Sequence, residues 1–380
     1  MENFIMHNPT TLHFGRSVVE KLAPIASSYG RRVLLVYGKG SAKRSGAYVD
    51  VLRQLKNINA EVFEFSGIQS NPLIEDVDAA AQLGREKQVD MIIAIGGGSV
   101  IDSAKAISIT MPVIHSGWVF YAGKAKPSKA IPLIAVLTLA ATGSEMNQFS
   151  VVQNHAAGMK NGFGHPLMYP VHSFLDPSYT LSVPRDYTAF GIADLMAHCL
   201  ENYFGLGHAP LTDHFIFSIL TEALEAGPQL LNDLDNYDLR ARIMYAATMA
   251  LNGLTTFGKG MGDWGVHSIG HHLSLLYGLP HGATLTVMYP AWMKLYQSAL
   301  EPQLLKLGKH LFGLEDAGET IQRLESFFIS IGCPVRITNS LPEGIDPKPL
   351  IDLMIRNRAG GNHYKFSPLQ LEKLIDLAQI

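Results

Sequence analysis

Val89-Asp90-Met91-Ile92-Ile93-Ala94-Ile95-Gly96-Gly97-Gly98-Ser99-Val100-Ile101-Asp102-Ser103-Ala104-Lys105-Ala106 changes character twice along its length. Val89 to Ile95 is short, rich in β-branched residues and nearly uncharged, the pattern of a strand buried on both faces of a parallel sheet. It runs into Gly96, Gly97 and Gly98, and the chain then reads as helix from Val100 to Ala106. Without Cβ atoms, backbone N–H groups can approach a pyrophosphate, and a helix start adds positive potential. The turn, with Ser99 and Asp102 beyond it, is therefore a phosphate-binding candidate. It is not the G-x-G-x-x-G fingerprint, because Ile101 stands in place of the third glycine. The competing reading is a tight β-to-α turn with no ligand.

Outward from this turn the alternation continues in both directions. Upstream, Arg32 to Tyr37 reads as strand, Ala47 to Leu55 as helix, Ala60 to Phe65 as strand and Leu73 to Lys87 as helix. Downstream, Ile131 to Leu137 is another strand, running into Thr138-Leu139-Ala140-Ala141-Thr142-Gly143-Ser144-Glu145. Small and hydroxyl residues at a strand's C-terminal end suit a ligand crevice, although a plain polar loop has the same composition. After Leu175 to Pro184 the character changes, and from Asp186 the chain reads as helical, with amphipathic stretches at Thr212 to Ala226, Leu239 to Leu251 and Leu350 to Arg358. The predicted fold class is an α/β domain with a parallel sheet over residues 1–183, binding a dinucleotide, followed by an all-helical domain over residues 184–380. A chain of 380 residues and 41.5 kDa exceeds one usual core, in keeping with two domains.

The helical part carries a set of metal-type ligands. Asp194 and His198 are four residues apart on a stretch that reads as helix, so they share one face. His267, His271 and His272 follow Gly265 on a second helical stretch, and His281 lies just beyond its end in the turn Tyr277 to Gly282. Imidazoles with one carboxylate suit a borderline divalent cation, Fe(II) or Zn(II), and the chain has only two cysteines, Cys199 and Cys333. A lone histidine on an apolar helix face is more often a core residue, but burying this many polar rings without partners is costly. Spacing leaves the choice between His267 and His271 open.

Composition narrows the function classes. A net charge of −3 and a sequence pI near 6.6 offer no basic face for nucleic acid or an anionic membrane. The start, Met1 to His7, has neither a basic n-region nor an apolar h-region, and the apolar stretch from Ile131 to Ala141 is too short to span a bilayer. Two distant cysteines fit a reducing cytoplasm.

On Gly96 to Ser99 with Asp102 and Lys105, the Thr138 to Glu145 loop, Gly191 to His198, and Gly265 to His271 with Pro280-His281-Gly282, essentially the whole chain resembles the iron-containing (group III) alcohol dehydrogenases. Within that family it looks most like the NADPH-dependent butanol dehydrogenase and broad-range aldehyde reductase branch. The resemblance implies Asp194, His198, His267 and His281 as metal ligands and His271 as the nearby non-ligand histidine; as the catalytic residue, His271, or water in reach of it, is expected to supply the final proton. It implies NADP(H) held by Gly38, Gly40, Ser41, Asn71, Gly96, Gly97, Gly98, Ser99, Asp102, Thr138, Leu139, Thr142, Val151 and Lys160. Members that use NAD end the strand corresponding to Val33–Tyr37 in an aspartate; here that position is Gly38, followed by Lys39, Ser41 and Lys43, which favours a 2′-phosphate. The implied substrates are short- to medium-chain aldehydes or primary alcohols, and the implied assembly is a homodimer. A dehydroquinate synthase-like or glycerol dehydrogenase-like enzyme of the same fold is the alternative; the first of these needs a dense basic pocket, and few Lys or Arg accompany the histidines. A nucleotide- and metal-binding sensor without turnover is a third reading.

Overall fold

The computed structural model describes residues 1–379, and in it the uncharged β-branched runs are strands. Among the described residues there are eight strands in all: β1 (Thr11–Phe14), β2 (Arg32–Gly38), β3 (Glu61–Ile68), β4 (Met91–Gly96), β5 (Leu133–Leu137), β6 (Phe149–Asn154), β7 (Met159–Gly164) and β8 (His172–Leu175). Six of them form one sheet in the order β1-β8-β5-β4-β2-β3, with every pairing parallel. β6 and β7 make a separate antiparallel ribbon.

The period of two along each strand explains why both faces are covered. Leu34, Val36, Ile92, Ala94, Leu133 and Ala135 pack on one side with Ile74, Val77 and Ala80 of the helix Ile74–Glu86 and Ile101, Ala104 and Ile107 of the helix Gly98–Thr110. Val33, Leu35, Met91, Ile93, Ile134 and Val136 pack on the other with Leu22, Ala26, Val51 and Leu55. The chain passes from β2 outward to β3 and then returns to the far side of β2 with β4, so the strand order reverses between β2 and β4. In open parallel sheets the crevice beyond the strand ends at such a reversal is where ligands bind. Gly38 ends β2 and Gly96 ends β4 there.

The chain divides into two compact units, one of His7–Pro184 with Leu234–Thr248 and the other of Met1–Met6, Arg185–Asp233 and the chain from Met249 onward. This departs from a single cut at 183/184 in two places. The helix Tyr237–Ala250 looks like part of the helical run by sequence, but Met244 is buried in the sheet's core and the Thr248 hydroxyl donates to Glu145 Oε1 at 2.6 Å. At the other end, the Glu2 N–H donates to Gly258 O at 2.9 Å and Phe4 stacks on Phe257. The strands β1 and β8 and the β6–β7 ribbon have no counterpart in the sequence reading; β7 contains two glycines and no apolar alternation. From Arg185 the second unit is helical, its principal helices being Arg185–Tyr203, Pro210–Asn232, Gly265–Tyr277, His281–Leu295, Gln297–Phe312, Ala317–Ser330, Pro347–Arg356 and Pro368–Gln379.

Candidate active site

Asp194 and His198 lie one turn apart on the helix Arg185–Tyr203, both buried. His267 lies in the first turn of the helix Gly265–Tyr277, which ends at Gly278 in the left-handed region (φ 67°). Pro280 then sets the start of the next helix, and His281 is the first residue of His281–Leu295. The expectation of a loop position for His281 is thus corrected: it is anchored to a helix start, and the turn before it is short.

Three of these side chains converge on an oxygen of the fourth. Asp194 Oδ1 is 3.6 Å from His198 Nε2, 3.8 Å from His267 Nε2 and 3.7 Å from His281 Nε2. Ligand bonds of about 2.1 Å arranged tetrahedrally place neighbouring donor atoms about 3.4 Å apart, so these separations are near those of a coordination shell and too long for hydrogen bonds. Asp194, His267 and His281 have ligand atoms within 4.8 Å of one another, and the His198 ring stacks on that of His267 at 5.0 Å. Asp194 Oδ1 and His267 Nε2 are buried with no hydrogen-bond partner. Buried polar atoms are rarely left so, and a shared cation would satisfy both. The residues present therefore fit a divalent ion.

A carboxylate that the sequence reading missed lies behind this set. Glu201 Oε1 accepts from the His267 ring at Nδ1 (2.9 Å) and from its backbone N–H (3.0 Å). This orients the ring with Nε2 toward Asp194, the arrangement that metal-bound histidines commonly have. A signal was available, since Asp194, His198 and Glu201 stand at i, i+4 and i+7 on one helix face. Electrostatics follow from the same contacts. Burial opposes a charge on His267, but Asp194 and Glu201 outweigh it and push its pKa up to about 9. Burial dominates at His198 and pulls its pKa down to about 4. Burial acts to raise the Asp194 pKa, but His198, His267 and His281 overcome it and hold the carboxylate ionised. A cation and a proton compete for His267 Nε2, so metal retention falls in acid.

The His271 ring is 5.4 Å from that of His281, half-buried and outside the convergent set. His272 instead donates within its own helix to Ser268 O at 2.7 Å. Cys199 is fully buried, and burial raises its thiol pKa well above the ordinary value.

In the other unit the glycine turn is tightly packed. A Cβ at Gly96 would lie 2.6 Å from Val100 Cβ, one at Gly97 would lie 3.0 Å from Leu139 Cβ, and one at Gly98 would lie 2.4 Å from Thr142. The turn and the 138–142 loop thus require one another, and the Thr138 N–H donates to Gly96 O at 3.0 Å. Asp102 accepts from Ser144 Oγ (2.5 Å) and from the Val151 N–H (2.8 Å), tying the loop and β6 to the helix Gly98–Thr110. Lys160, on β7, donates to Asn71 Oδ1 at 2.8 Å, and Ser99 Oγ to Ser70 O at 2.5 Å. Gly38 differs: a Cβ there would make only ordinary contacts, the nearest being Ile68 O at 3.5 Å. Gly40 lies one residue before the helical turn Ser41–Arg44, beside the Arg44 guanidinium.

The chain matches the iron-containing alcohol dehydrogenase family over residues 9–177 and the C-terminal domain of the same family over residues 188–348. It is 39% identical to the probable NADH-dependent butanol dehydrogenase 1 of Bacillus subtilis over 99% of each chain. It is also 35% identical to the NADPH-dependent aldehyde reductase YqhD of Escherichia coli over 89% of each. The solved structure of NADH-dependent butanol dehydrogenase A from Thermotoga maritima superposes with a TM-score of 0.96 at 31% identity, covering 100% of this chain and 99% of that one. The chain belongs to the iron-containing alcohol dehydrogenase family. As a member of that family it is a metal-dependent alcohol dehydrogenase or aldehyde reductase that uses a nicotinamide cofactor. This iron-containing alcohol dehydrogenase also carries Asp263 and Trp264 beside His267, which the sequence reading did not single out; the Trp264 ring meets that of His267 edge-on at 5.1 Å.

Proposed function

We propose that this iron-containing alcohol dehydrogenase reduces short- to medium-chain aldehydes with NADPH, with Asp194, His198, His267 and His281 holding Fe(II) or Zn(II). The observation that carries the metal assignment is the convergence of three Nε2 atoms on Asp194 Oδ1. When bound, the ion supplies Lewis acidity toward a carbonyl oxygen and the nicotinamide supplies hydride. Asp194 brings the one negative charge among the ligands, and Glu201 keeps His267 in the tautomer that presents Nε2. His271, whose ring lies 5.4 Å from that of His281, would deliver a proton to the product oxygen in this reading. In the α/β unit, the glycine turn and the 138–142 loop form the bed for the pyrophosphate in this reading, with Asn71, Lys160 and Val151 as further cofactor contacts. Asp102 acts there by orienting Ser144 and Val151.

NADP(H) is favoured by Gly38. The residue ends a strand, its φ is not in the left-handed region, and a side chain would fit. Backbone geometry therefore does not demand glycine, and the missing carboxylate leaves room and no repulsion for a 2′-phosphate beside Ser41 and Lys43. The relatives carry both coenzyme names, NADH-dependent in Bacillus subtilis and NADPH-dependent in Escherichia coli. We further propose a homodimer acting in the cytoplasm; among the described residues no helix is long and apolar enough to cross a membrane. The test is kcat/KM for NADPH and NADH over a panel of aldehydes from ethanal to octanal, with metal analysis of the same preparation. A ratio favouring NADPH with every aldehyde is expected; a ratio favouring NADH would overturn the coenzyme reading.

A further inference from the structure

Every polar atom of Asp263 is engaged by protein. Its N–H donates to Glu201 O (3.0 Å) and its carbonyl accepts from the Asn362 N–H (2.6 Å). Carboxylate Oδ1 accepts from the N–H groups of His363 and Tyr364 (both 2.8 Å), and Oδ2 accepts from the Gly265 N–H (3.2 Å). The fit leaves no room on either side: a Cβ at Gly361 would lie 2.0 Å from Oδ2, and one at Gly265 would lie 2.6 Å from it. Around this carboxylate two distant segments are joined further, by Asn362 Nδ2 to Gly262 O (2.8 Å), His363 Nε2 to Met261 O (2.7 Å) and the Gly360 N–H to Ser268 Oγ (3.1 Å).

Trp264, the next residue, has φ 62° and ψ 14°. A bulky side chain in the left-handed region is strained, and such a conformation persists only where its surroundings over-determine it. Asp263 provides that determination, because its carboxylate reaches over Trp264 to the Gly265 N–H. Gly265 begins the helix on which His267 sits, and the Trp264 ring packs against the rings of His267 and His198 at 5.1 and 6.1 Å. We propose that Asp263 is a positioning residue: by gripping the backbone of Gly265, His363 and Tyr364 it holds Trp264 in the left-handed conformation and so sets where the His267 helix begins. The inference rests on the metal assignment above. It adds that the 360–364 segment, far from the ligands in sequence, helps to define the coordination geometry.

Asp263→Asn isolates the claim, since an amide can keep one acceptor toward His363 and Tyr364 but then turns NH₂ toward the Gly265 N–H, donor against donor. Gly361→Ala attacks the same clamp from the other side with Asp263 intact. Asp213→Asn is the control, a buried carboxylate of the same unit paired with Lys259 and Lys306, away from the ligands. Full-length protein stripped of metal is titrated with Co(II) against a chromogenic chelator, the visible absorption of the bound ion is recorded, and circular dichroism checks folding. Expected are Co(II) affinities lowered about 10–100-fold and altered visible bands in Asp263→Asn and Gly361→Ala, the range typical of residues that orient metal ligands. Asp213→Asn is expected to melt earlier with unchanged affinity and bands. Wild-type affinity and bands in both clamp variants would overturn the proposal, and so would equal changes in Asp213→Asn. If Asp263→Asn does not fold, Gly361→Ala decides alone. His281→Ala separates the two levels: weak Co(II) binding there with normal binding in the clamp variants sinks only Asp263, whereas normal binding in His281→Ala removes the metal assignment and Asp263 with it.

Discussion

In the helical unit Asp194 Oδ1 and His267 Nε2 are buried without a hydrogen-bond partner, whereas in the α/β unit Asp102, Ser99, Asn71 and Lys160 are all partnered by protein atoms. The two regions announce ligands in different ways. A cation site shows itself by donor atoms that nothing in the protein satisfies. A nucleotide bed shows itself by the absence of side chains, and that absence is ambiguous, because Gly96, Gly97 and Gly98 are needed for packing whether or not a pyrophosphate is bound. Gly38 is free of that ambiguity, since a Cβ there would make only ordinary contacts.

The largest effect should come from the unpartnered set. Asp194→Ala removes the shared oxygen and leaves three imidazoles facing one another, so metal affinity and turnover should both fall by more than about a hundredfold, beyond the loss typical when an outer-shell partner is removed. Metal content by atomic absorption after dialysis, together with kcat, checks this. Retained metal in the variant would break the comparison, because the orphaned oxygen would then have been a poor guide.

Next comes Glu201→Gln, which keeps size but can present a donor to His267 Nδ1. Metal affinity should fall about 10–100-fold with the fold intact. An unchanged dissociation constant in chelator competition would mean that the Glu201 carboxylate does not set the ring's orientation.

On the cofactor side, Gly38→Asp should lower the NADPH-over-NADH ratio of kcat/KM at least about tenfold, since a like-charge contact worth ~1.4 kcal/mol corresponds to one decade. The shift should be equal for every aldehyde, as it acts on the coenzyme. A ratio that does not move would show Gly38 to be a neutral strand end, and the coenzyme preference would then have to come from other residues of the loop.

These contrasts explain what was readable beforehand. The parallel sheet was plain because its central strands are uninterrupted apolar runs such as Met91–Gly96, buried on both faces. Asp194 and His198 were plain because their spacing is local, and the helix puts them together. The choice of His267 over His271 was not plain from spacing, since both fit one helix face; the family resemblance implied it, and the 3.8 Å between His267 Nε2 and Asp194 Oδ1 supports it. Asp263 and the 360–364 segment were invisible for the same reason, as their contacts span about a hundred residues and are made mostly by backbone N–H groups, which carry no residue identity. The β6–β7 ribbon was missed because glycines and polar residues hide its period, although Val151 and Lys160 lie on it.

The smallest effect should be on stability alone. Burial acts to raise the Asp213 pKa, but hydrogen bonds from Lys259 and Lys306 hold it below the usual carboxylate value. A carboxyl depressed in this way stabilises the fold above its unfolded pKa of about 3.9, and the contribution is lost as pH falls through the folded value. Asp213→Asn should therefore cost about 1–2 kcal/mol at pH 7, since the amide of Asn can still accept a hydrogen bond from one of the two lysines. The difference in Tm from wild type should narrow as pH falls below the unfolded value of about 3.9. A constant difference across that range would mean that the charge is not what Asp213 contributes.

The most direct test of the central claim sets two neighbouring histidines against each other. Metal stoichiometry after dialysis is measured on wild type, His281→Ala and His271→Ala. The account predicts one divalent ion per chain in wild type, loss of metal and turnover in His281→Ala, and full metal with reduced kcat in His271→Ala. Full metal in His281→Ala, or equal loss in both variants, would contradict it.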